Sequence, residues 1–167
     1  MSIRRKVWKY GDDVNTDVIF PGKYTYTITD PNEMAQYALE DLDPEFAVKV
    51  NKNDVIIAGE NFGCGSSREQ AAICLKYAGV GAVIAKSFSR IFFRNAINQA
   101  LPVIECKEAV DNIKSNDEVK IDFEKGEISC DKGVFSFSPL PKEILEIFND
   151  GGLIPHVKKI LKIKQGE

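Results

Sequence analysis

The order of strand-like and helical segments between residues 54 and 105 limits the possible folds more than any other feature of the sequence. Three short apolar runs alternate with two predicted helices, over residues 54–59 (DVIIAG), 67–78, 81–86 (GAVIAK), 90–99 and 102–105 (PVIE). Strand–helix–strand units of this kind form right-handed crossovers in a parallel sheet. The pattern therefore predicts an α/β protein built around parallel strands.

The segments on either side of this core differ from it. Residues 3–10 predict a strand, a polar loop follows, and Asp30-Pro31 predicts the start of a helix that continues to about Leu42. Three short alternating runs and two helices come after the core, over residues 118–123, 127–130, 134–137, 141–149 and 154–162. Lys-Gly turns separate the short runs and favour antiparallel pairing. No repeat or linker interrupts the chain, so we expect one mixed α/β domain over residues 1–167.

Composition and charge narrow the range of partners. The chain has 167 residues with 22 basic and 25 acidic side chains, which gives a net charge of -3. A nucleic-acid-binding protein usually has a basic excess, and the longest apolar runs, such as residues 80–85, are too short to span a bilayer. Residues 1–10 lack the apolar segment of a secretion signal. We therefore expect a cytoplasmic protein that binds neither nucleic acid nor membrane.

The cysteines and the single histidine give no pattern of metal ligands. The cysteines stand at positions 64, 74, 106 and 130, without any C-x-x-C pair. A zinc ribbon or a ferredoxin-type cluster is therefore not indicated on this chain. We expect Cys74, Cys106 and Cys130 to be small core residues and His156 to be a surface or capping residue.

The segment Gly59–Arg68, G-E-N-F-G-C-G-S-S-R, leaves a buried strand and enters a helix. Its glycines allow close approach of a ligand to the backbone, and a helix start favours an anion. Ser66 and Ser67 add hydroxyls, and Arg68 adds a fork suited to a carboxylate or phosphate. The segment lacks the third glycine of a dinucleotide fingerprint and the Gly-Lys-Ser/Thr of a P-loop. Two interpretations stay open at this point: an anion site, or a glycine-rich turn in which one serine caps the helix.

A second unusual segment, Asp12–Thr27, contains three aspartates, a Pro-Gly turn and two tyrosines. Such a composition is uncommon in a simple connector and indicates a functional loop. The alternative is a solvated loop whose turns are held by Asn15 and Asp17.

These segments resemble one family closely. The runs G-E-N-F-G-C-G-S-S-R-E-Q-A (59–71) and A-V-I-A-K-S-F-S-R-I-F-F-R-N (82–95) are similar to the small subunits of isopropylmalate isomerases, also called 3-isopropylmalate dehydratases. These subunits are a stand-alone form of the aconitase swivelling domain. The segments D-D-V-N-T-D-V-I-F-P-G-K-Y (12–24) and G-G-L-I-P-H-V-K-K-I-L (151–161) look similar too, so the resemblance covers essentially the whole chain. It implies a mixed sheet or half-barrel with helices packed on it.

The resemblance also implies a partner. In the two-subunit enzymes, a separate large subunit carries a four-iron–four-sulfur cluster, and the small subunit closes over the active site. We therefore expect no metal on this chain, a heterodimer or heterotetramer with an iron–sulfur large subunit, and a small dicarboxylate substrate. Cys64 lies inside the motif, but we do not assign it as a ligand.

Residue by residue, the resemblance assigns roles to the motif and to the first loop. Ser66 matches the serine that removes a proton from carbon, while cluster iron acts as Lewis acid on the departing hydroxide. Ser67 and Arg68 match residues that hold a substrate carboxylate, and Arg68 would also stabilise a serine alkoxide. Asp17 matches an active-site aspartate.

The run Tyr24, Thr25, Tyr26 and Thr27 matches the loop that distinguishes substrates within the family. Homoaconitase-type subunits have arginine at the third position, and this chain has Tyr26. An aromatic ring does not neutralise a carboxylate but can line a pocket for a branched alkyl group. This favours 3-isopropylmalate, with homocitrate and 2,3-dimethylmalate as alternatives. We expect residues 22–30 to be mobile until partner and substrate order them.

A non-catalytic module that reuses the fold to bind carboxylates is the alternative from a different functional class. It predicts carboxylate binding without a partner and little effect of a Ser66→Ala substitution. The joint presence of Ser66, Ser67, Arg68 and Asp17 favours the enzyme subunit.

Overall fold

The computed structural model describes residues 4–166, in which seven strands form one sheet with helices packed on it. The strands are β1 (Arg5–Lys9), β2 (Val55–Ala58), β3 (Ala82–Ala85), β4 (Val103–Glu105), β5 (Glu118–Asp122), β6 (Glu127–Cys130) and β7 (Gly133–Ser136). Their order across the sheet is β4-β3-β2-β1-β5-β6-β7. The first four strands pair in parallel, and β5, β6 and β7 continue the sheet as antiparallel strands.

Short and medium helices connect these strands, and two further helices follow the last strand. They are α1 (Thr16–Ile19), a 3-10 helix (Gly22–Tyr24), α2 (Pro31–Ala35), α3 (Phe46–Lys49), α4 (Glu69–Tyr77), α5 (Arg90–Asn98), α6 (Lys107–Asn112), α7 (Lys142–Asn149) and α8 (Leu153–Lys164). The helices α4 and α5 are the crossovers between the parallel strands, as the alternation predicted.

The central parallel strands β2 and β3 are covered on both faces, which explains their continuous apolar sequences. Every residue of β2 is buried. Ile56 and Ala58 belong to the hydrophobic cluster that includes residues of α4 and α5, and Val55 and Ile57 belong to the cluster on the opposite face. Because side chains alternate along a strand, a strand between two cores needs an apolar residue at every position.

The sheet curls so that its two edges approach each other. The strands β4 and β7 are the outermost in the sheet order, yet the Cys106 thiol, just after β4, lies 3.5 Å from the Ser136 carbonyl oxygen in β7. Ile104 and Phe135 belong to the same buried cluster. The predicted mixed α/β half-barrel with helices packed on it is therefore confirmed.

The helix predicted from Asp30 to about Leu42 is much shorter than expected. The carboxylate of Asp30 accepts a hydrogen bond from the Glu33 amide at 3.0 Å, as an N-cap should, but α2 ends at Ala35. Turns follow because Leu39 has a φ of +58°, and its amide donates to the Ile19 carbonyl at 2.8 Å instead of continuing a helix. The periodicity also missed α1, α3 and α6, which have four, four and six residues and are too short to show a helical repeat.

Several single-residue expectations can be compared with the structure. Cys74 and Cys106 are buried as expected, and Cys130 is half-buried and packs against one of the hydrophobic core clusters. The ring nitrogen Nδ1 of His156 lies 2.7 Å from Asp150, whose other carboxylate oxygen accepts from Lys159 at 3.0 Å. His156 therefore joins the end of α7 to α8, and these contacts lower the pKa of Asp150 below its ordinary value. Among residues 4–166, no helix has both the length and the apolar character needed to cross a membrane.

Candidate active site

Three segments meet where the parallel strands β1, β2 and β3 end. They are residues 11–17, 59–68 and 86–90, and backbone hydrogen bonds of 2.8–3.0 Å connect them. Those bonds join Asp13 N to Glu60 O, Gly63 N to Val14 O, Thr16 N to Cys64 O, Phe62 N to Ser87 O, and Ser89 N to Phe62 O. The carboxyl ends of parallel strands are the usual place for a ligand in open α/β sheets. The two segments singled out in the sequence are thus brought together there.

Glycines make the close approach of these segments possible. Gly63 has a φ of +79°, and a Cβ atom there would lie 2.2 Å from Cγ of Phe92. Gly59 contacts the Asp12 side chain so closely that a Cβ would lie 1.7 Å from its Oδ1. That carboxylate oxygen accepts a hydrogen bond of 2.7 Å from the Glu60 amide. The motif loop is therefore fixed by its own backbone and by its neighbours.

The two serines of the motif are exposed, and neither of them caps the helix. The N-cap of α4 is Arg68, with no side-chain cap hydrogen bond, and the helix begins at Glu69 rather than at Ser67 as predicted. The carbonyl oxygen of Ser66 accepts a hydrogen bond of 2.8 Å from the Thr16 hydroxyl. The capping interpretation of the motif is therefore wrong, and the serine hydroxyls face solvent at the loop.

Arg68 links the motif to the loop that follows β1. Its Nη2 lies 2.9 Å from Oδ1 of Asp17, and its Nη1 donates to the Thr25 hydroxyl at 2.7 Å. A Cβ at Gly22 would lie 3.3 Å from the same guanidinium, so glycine leaves room for it. The sequence-predicted residues Asp17, Thr25 and Arg68 are thus in direct contact.

The predicted substrate-binding residues in the run 24–27 have different environments. The Tyr24 ring packs on Tyr37, with centroids 4.3 Å apart, and its hydroxyl donates to Glu40 at 3.2 Å. Partial burial and this carboxylate raise the pKa of Tyr24. Tyr26 is 95% exposed, and Thr27 is also exposed. Thr25 therefore contacts the motif through Arg68, whereas Tyr24 packs against Tyr37. Tyr26 lies at the exposed tip of the loop.

A cavity of about 160 Å³ lies beside the motif and includes residues to which the sequence assigned no role. Ser66 and Arg68 line it together with Thr16, Ser89, Arg90 and Asn95, among others. The Ser89 hydroxyl donates to the Gly63 carbonyl at 2.7 Å and its oxygen caps α5, accepting from the Phe92 amide at 3.3 Å. The sequence could have indicated a role for Ser89 and Arg90 by their position, because the run S-F-S-R (87–90) follows the parallel strand β3.

Cys64 lies in the motif and is half-buried. Burial, with a smaller contribution from the Asp13 charge, raises the pKa of its thiol. Within residues 4–166, no three histidine, cysteine or acidic side chains come together as metal ligands. The described residues therefore offer no ligand set for an iron–sulfur cluster.

Comparison with known proteins agrees with this geometry. The aconitase C-terminal domain family matches residues 12–109. The 3-isopropylmalate dehydratase small subunit of Caldicellulosiruptor bescii is 53% identical over 164 residues, which cover 97% of this chain and 98% of that protein. The corresponding subunit of Aquifex aeolicus is 49% identical over 167 residues, covering 98% and 99%. A crystal structure of 3-isopropylmalate dehydratase from Methanocaldococcus jannaschii superposes with a TM-score of 0.92 at 47% identity, covering 99% of both chains.

The fold and the site define a protein of the aconitase C-terminal, or swivelling, domain class. Within that class, the chain belongs to the family of 3-isopropylmalate dehydratase small subunits.

Proposed function

We propose that this chain, as the small subunit of a hydro-lyase of leucine biosynthesis, supplies the catalytic base and a carboxylate-binding group for the interconversion of 2- and 3-isopropylmalate. The observation that carries the proposal is the cavity shared by Ser66 and Arg68. The exposed residue Ser66 lines this cavity together with Arg68, whose guanidinium contacts Asp17 and Thr25.

Ser66 is the proposed base. A serine hydroxyl takes up a proton only as its alkoxide, which needs nearby positive charge and N–H dipoles. The proton leaves the substrate carbon for Ser66 Oγ, the C–H electrons form the carbon–carbon double bond, and hydroxide leaves the neighbouring carbon. Addition of water in the opposite sense gives the isomer.

Arg68 is the proposed carboxylate-binding group. Its planar fork can form two parallel hydrogen bonds to a carboxylate. Its present contacts with Asp17 and Thr25 orient it and keep it at the cavity in the free chain. Ser67 is exposed next to it and is the proposed second donor to the substrate. In this proposal Asp17 acts on the reaction by positioning Arg68.

A four-iron–four-sulfur cluster on the large subunit is the proposed cofactor of the assembled enzyme, and it supplies Lewis-acid chemistry there. The described residues of this chain do not fit such a cluster, so the cluster is assigned to the partner. The assembly is a heterodimer or heterotetramer with that large subunit. We place it in the cytoplasm, where four free cysteines like those seen here persist.

Tyr26 is the proposed determinant of the substrate. The ring is 95% exposed in the free chain. Burial of an aromatic ring of this size against substrate and partner would contribute favourably to binding. A phenol ring at this position suits the isopropyl group of 3-isopropylmalate. It offers no positive charge for the extra carboxylate of homocitrate.

The experiment is turnover by this chain co-purified anaerobically with its large subunit, with 3-isopropylmalate and homocitrate compared at equal concentration. We expect kcat/KM to favour 3-isopropylmalate by at least about tenfold, since the pocket leaves the extra carboxylate unpaired. A preference for homocitrate would contradict the assignment of Tyr26. No turnover of either substrate by a cluster-loaded complex would contradict the proposed function.

The non-catalytic alternative makes a different prediction for the isolated chain. A carboxylate-binding module would bind 3-isopropylmalate by calorimetry without a partner, because its site would be complete. If the chain is the proposed enzyme subunit, the isolated chain should not bind 3-isopropylmalate below millimolar concentration, since the cavity beside the motif is only about 160 Å³.

A further inference from the structure

A second and larger cavity lies at the seam where the two edges of the curled sheet approach each other. Its volume is about 640 Å³. One wall is formed by β4 and α5, and the other by residues 137–141, which follow β7. The contact between the Cys106 thiol and the Ser136 carbonyl holds the two edges near each other without closing a hydrogen-bonded barrel. The cavity therefore occupies the gap in the half-barrel.

The interior of this seam cavity is apolar and its mouth is basic. Val103, Ile104 and Phe137 form buried parts of the lining, and Phe88, Phe93 and Leu140 form half-buried parts. Arg90 and Arg94, both exposed, lie at the opening, together with the single acidic residue Glu105. Neither arginine forms an ion pair with another residue of the described range 4–166. The cavity thus suits an apolar group that has a carboxylate beside it.

The seam cavity lies next to the candidate active site. Arg90 lines both the seam cavity and the cavity beside Ser66. Ser89, the preceding residue, donates a hydrogen bond of 2.7 Å to the Gly63 carbonyl and so connects the start of α5 to the motif loop. A protein partner that covers the motif cavity and extends past Arg90 would therefore reach the mouth of the seam cavity.

We propose that the seam cavity is a docking pocket for the large subunit, which inserts an apolar side chain there and places an adjacent carboxylate against Arg94. This inference rests on the proposed function, because it takes the large subunit as the partner that covers the motif. Apolar anchors in pockets, flanked by charge pairs, supply most of the affinity of protein interfaces. A second copy of this chain docked mouth to mouth fits less well, since the two-fold axis would then bring the arginines of both mouths together.

The test measures the dissociation constant of the large subunit from this chain and from three variants. Arg94→Glu reverses the charge at the mouth, and we expect it to raise Kd by about tenfold or more. Arg94→Lys keeps the positive charge and should raise Kd by less than Arg94→Glu does. Lys52→Glu is the matched control, because Lys52 is exposed in the turn before β2, at the opposite end of that strand from the motif.

A fourth variant, Leu140→Asn, tests the apolar part of the pocket, and it too should raise Kd while circular dichroism stays unchanged. At saturating large subunit, kcat of the Arg94→Glu complex should equal that of the wild type, because Arg94 does not line the motif cavity. This separates docking from catalysis.

Each other outcome has a definite meaning. If the wild-type complex turns over 3-isopropylmalate but neither Arg94→Glu nor Leu140→Asn changes Kd, the docking inference is wrong and the proposed function stands. If the substitutions change only the oligomeric state of the isolated chain, the occupant is a second copy and the inference is also wrong. If the wild-type chain binds no large subunit at all, the proposed function itself fails.

Discussion

The motif loop, residues 59–68, and the loop of residues 22–30 both belong to the candidate site, but they are held in different ways. Backbone hydrogen bonds to the segments after β1 and β3 hold the motif loop, and its glycines pack against fixed atoms. The other loop is held mainly by side chains: the Tyr24 ring packed on Tyr37, the buried Ile28, and the bond from Arg68 to Thr25. Tyr26, between these anchors, is almost fully exposed.

This difference separates two tasks of the site. The proposed base needs a fixed position, because proton transfer depends closely on geometry. Tyr26, the proposed substrate-selecting residue, needs to pass from solvent into contact with partner and substrate when they bind. A loop fastened at both sides of an exposed tip allows that change while Arg68 keeps the loop beside the motif.

The largest effect on stability is expected for the close packing of the motif loop. Gly63→Ala should lower the free energy of unfolding by about 3 kcal/mol, because its φ is +79° and its new Cβ would lie 2.2 Å from the Phe92 ring. Gly65→Ala is the matched control: its φ is +96°, but the nearest atoms lie 3.5 Å away, so only about 1 kcal/mol of backbone strain is expected. Urea unfolding measures both. Equal losses of unfolding free energy in Gly63→Ala and Gly65→Ala would mean that the motif loop is not closely packed.

The next prediction concerns the exposed tip. Tyr26→Arg should shift the ratio of kcat/KM for 3-isopropylmalate over homocitrate by about tenfold towards homocitrate, because arginine can pair with the extra carboxylate. The free energy of unfolding should change by less than about 0.5 kcal/mol, since the side chain is 95% exposed. Tyr26→Gln is the uncharged control. If Tyr26→Arg and Tyr26→Gln shift the ratio of kcat/KM equally, the positive charge of the arginine does not explain the shift.

A smaller effect is expected for the connection between the two loops. Thr25→Val removes the acceptor of the 2.7 Å bond from Arg68 and should cost about 1 kcal/mol of local stability. Amide hydrogen exchange of residues 25–27 should quicken by about fivefold, whereas residues 62–65 should stay unchanged. The control is Thr27→Val, whose hydroxyl makes only a 3.4 Å contact with the Tyr24 carbonyl. Faster exchange in the motif loop as well would show that the two loops open together.

The smallest effect concerns the Cys64 thiol in the motif loop. Burial, and to a lesser degree the charge of Asp13, raises its pKa above that of a free cysteine, so the reactive thiolate forms only at higher pH. The rate of alkylation by iodoacetamide, followed by mass spectrometry, should therefore rise with a midpoint at higher pH than that of a free cysteine peptide measured alongside. Asp13→Asn should lower that midpoint but leave it raised, because burial remains. A wild-type midpoint at or below that of the free peptide would contradict a shielded motif loop.

The sequence predicted the parallel core well because three apolar runs and two helices alternate at regular spacing. It also predicted which two segments meet at the candidate site, since both follow parallel strands and both carry unusual polar residues. The resemblance then supplied the proposed roles of Ser66, Arg68 and Asp17, which composition and spacing alone left open.

The parts that sequence reasoning missed depend on contacts between distant residues. The longer predicted helix cannot continue through Leu39, whose positive φ and bond to Ile19 no local propensity signals. The contribution of Ser89 and Arg90 to the motif cavity follows from the packing of α5 against Gly63. The seam cavity requires the curl of the sheet, which brings the first and last strands of the sheet order together.

The most direct test of the central assignment compares Ser66→Ala and Ser67→Ala in complexes assembled with the large subunit. Ser66→Ala should lower kcat by about 10²–10⁴-fold, as expected for loss of a general base, with no change in Kd for the large subunit. Ser67→Ala, the neighbouring hydroxyl, should act mainly on KM. Turnover by the Ser66→Ala complex at the wild-type rate would contradict the assignment of Ser66 as the base.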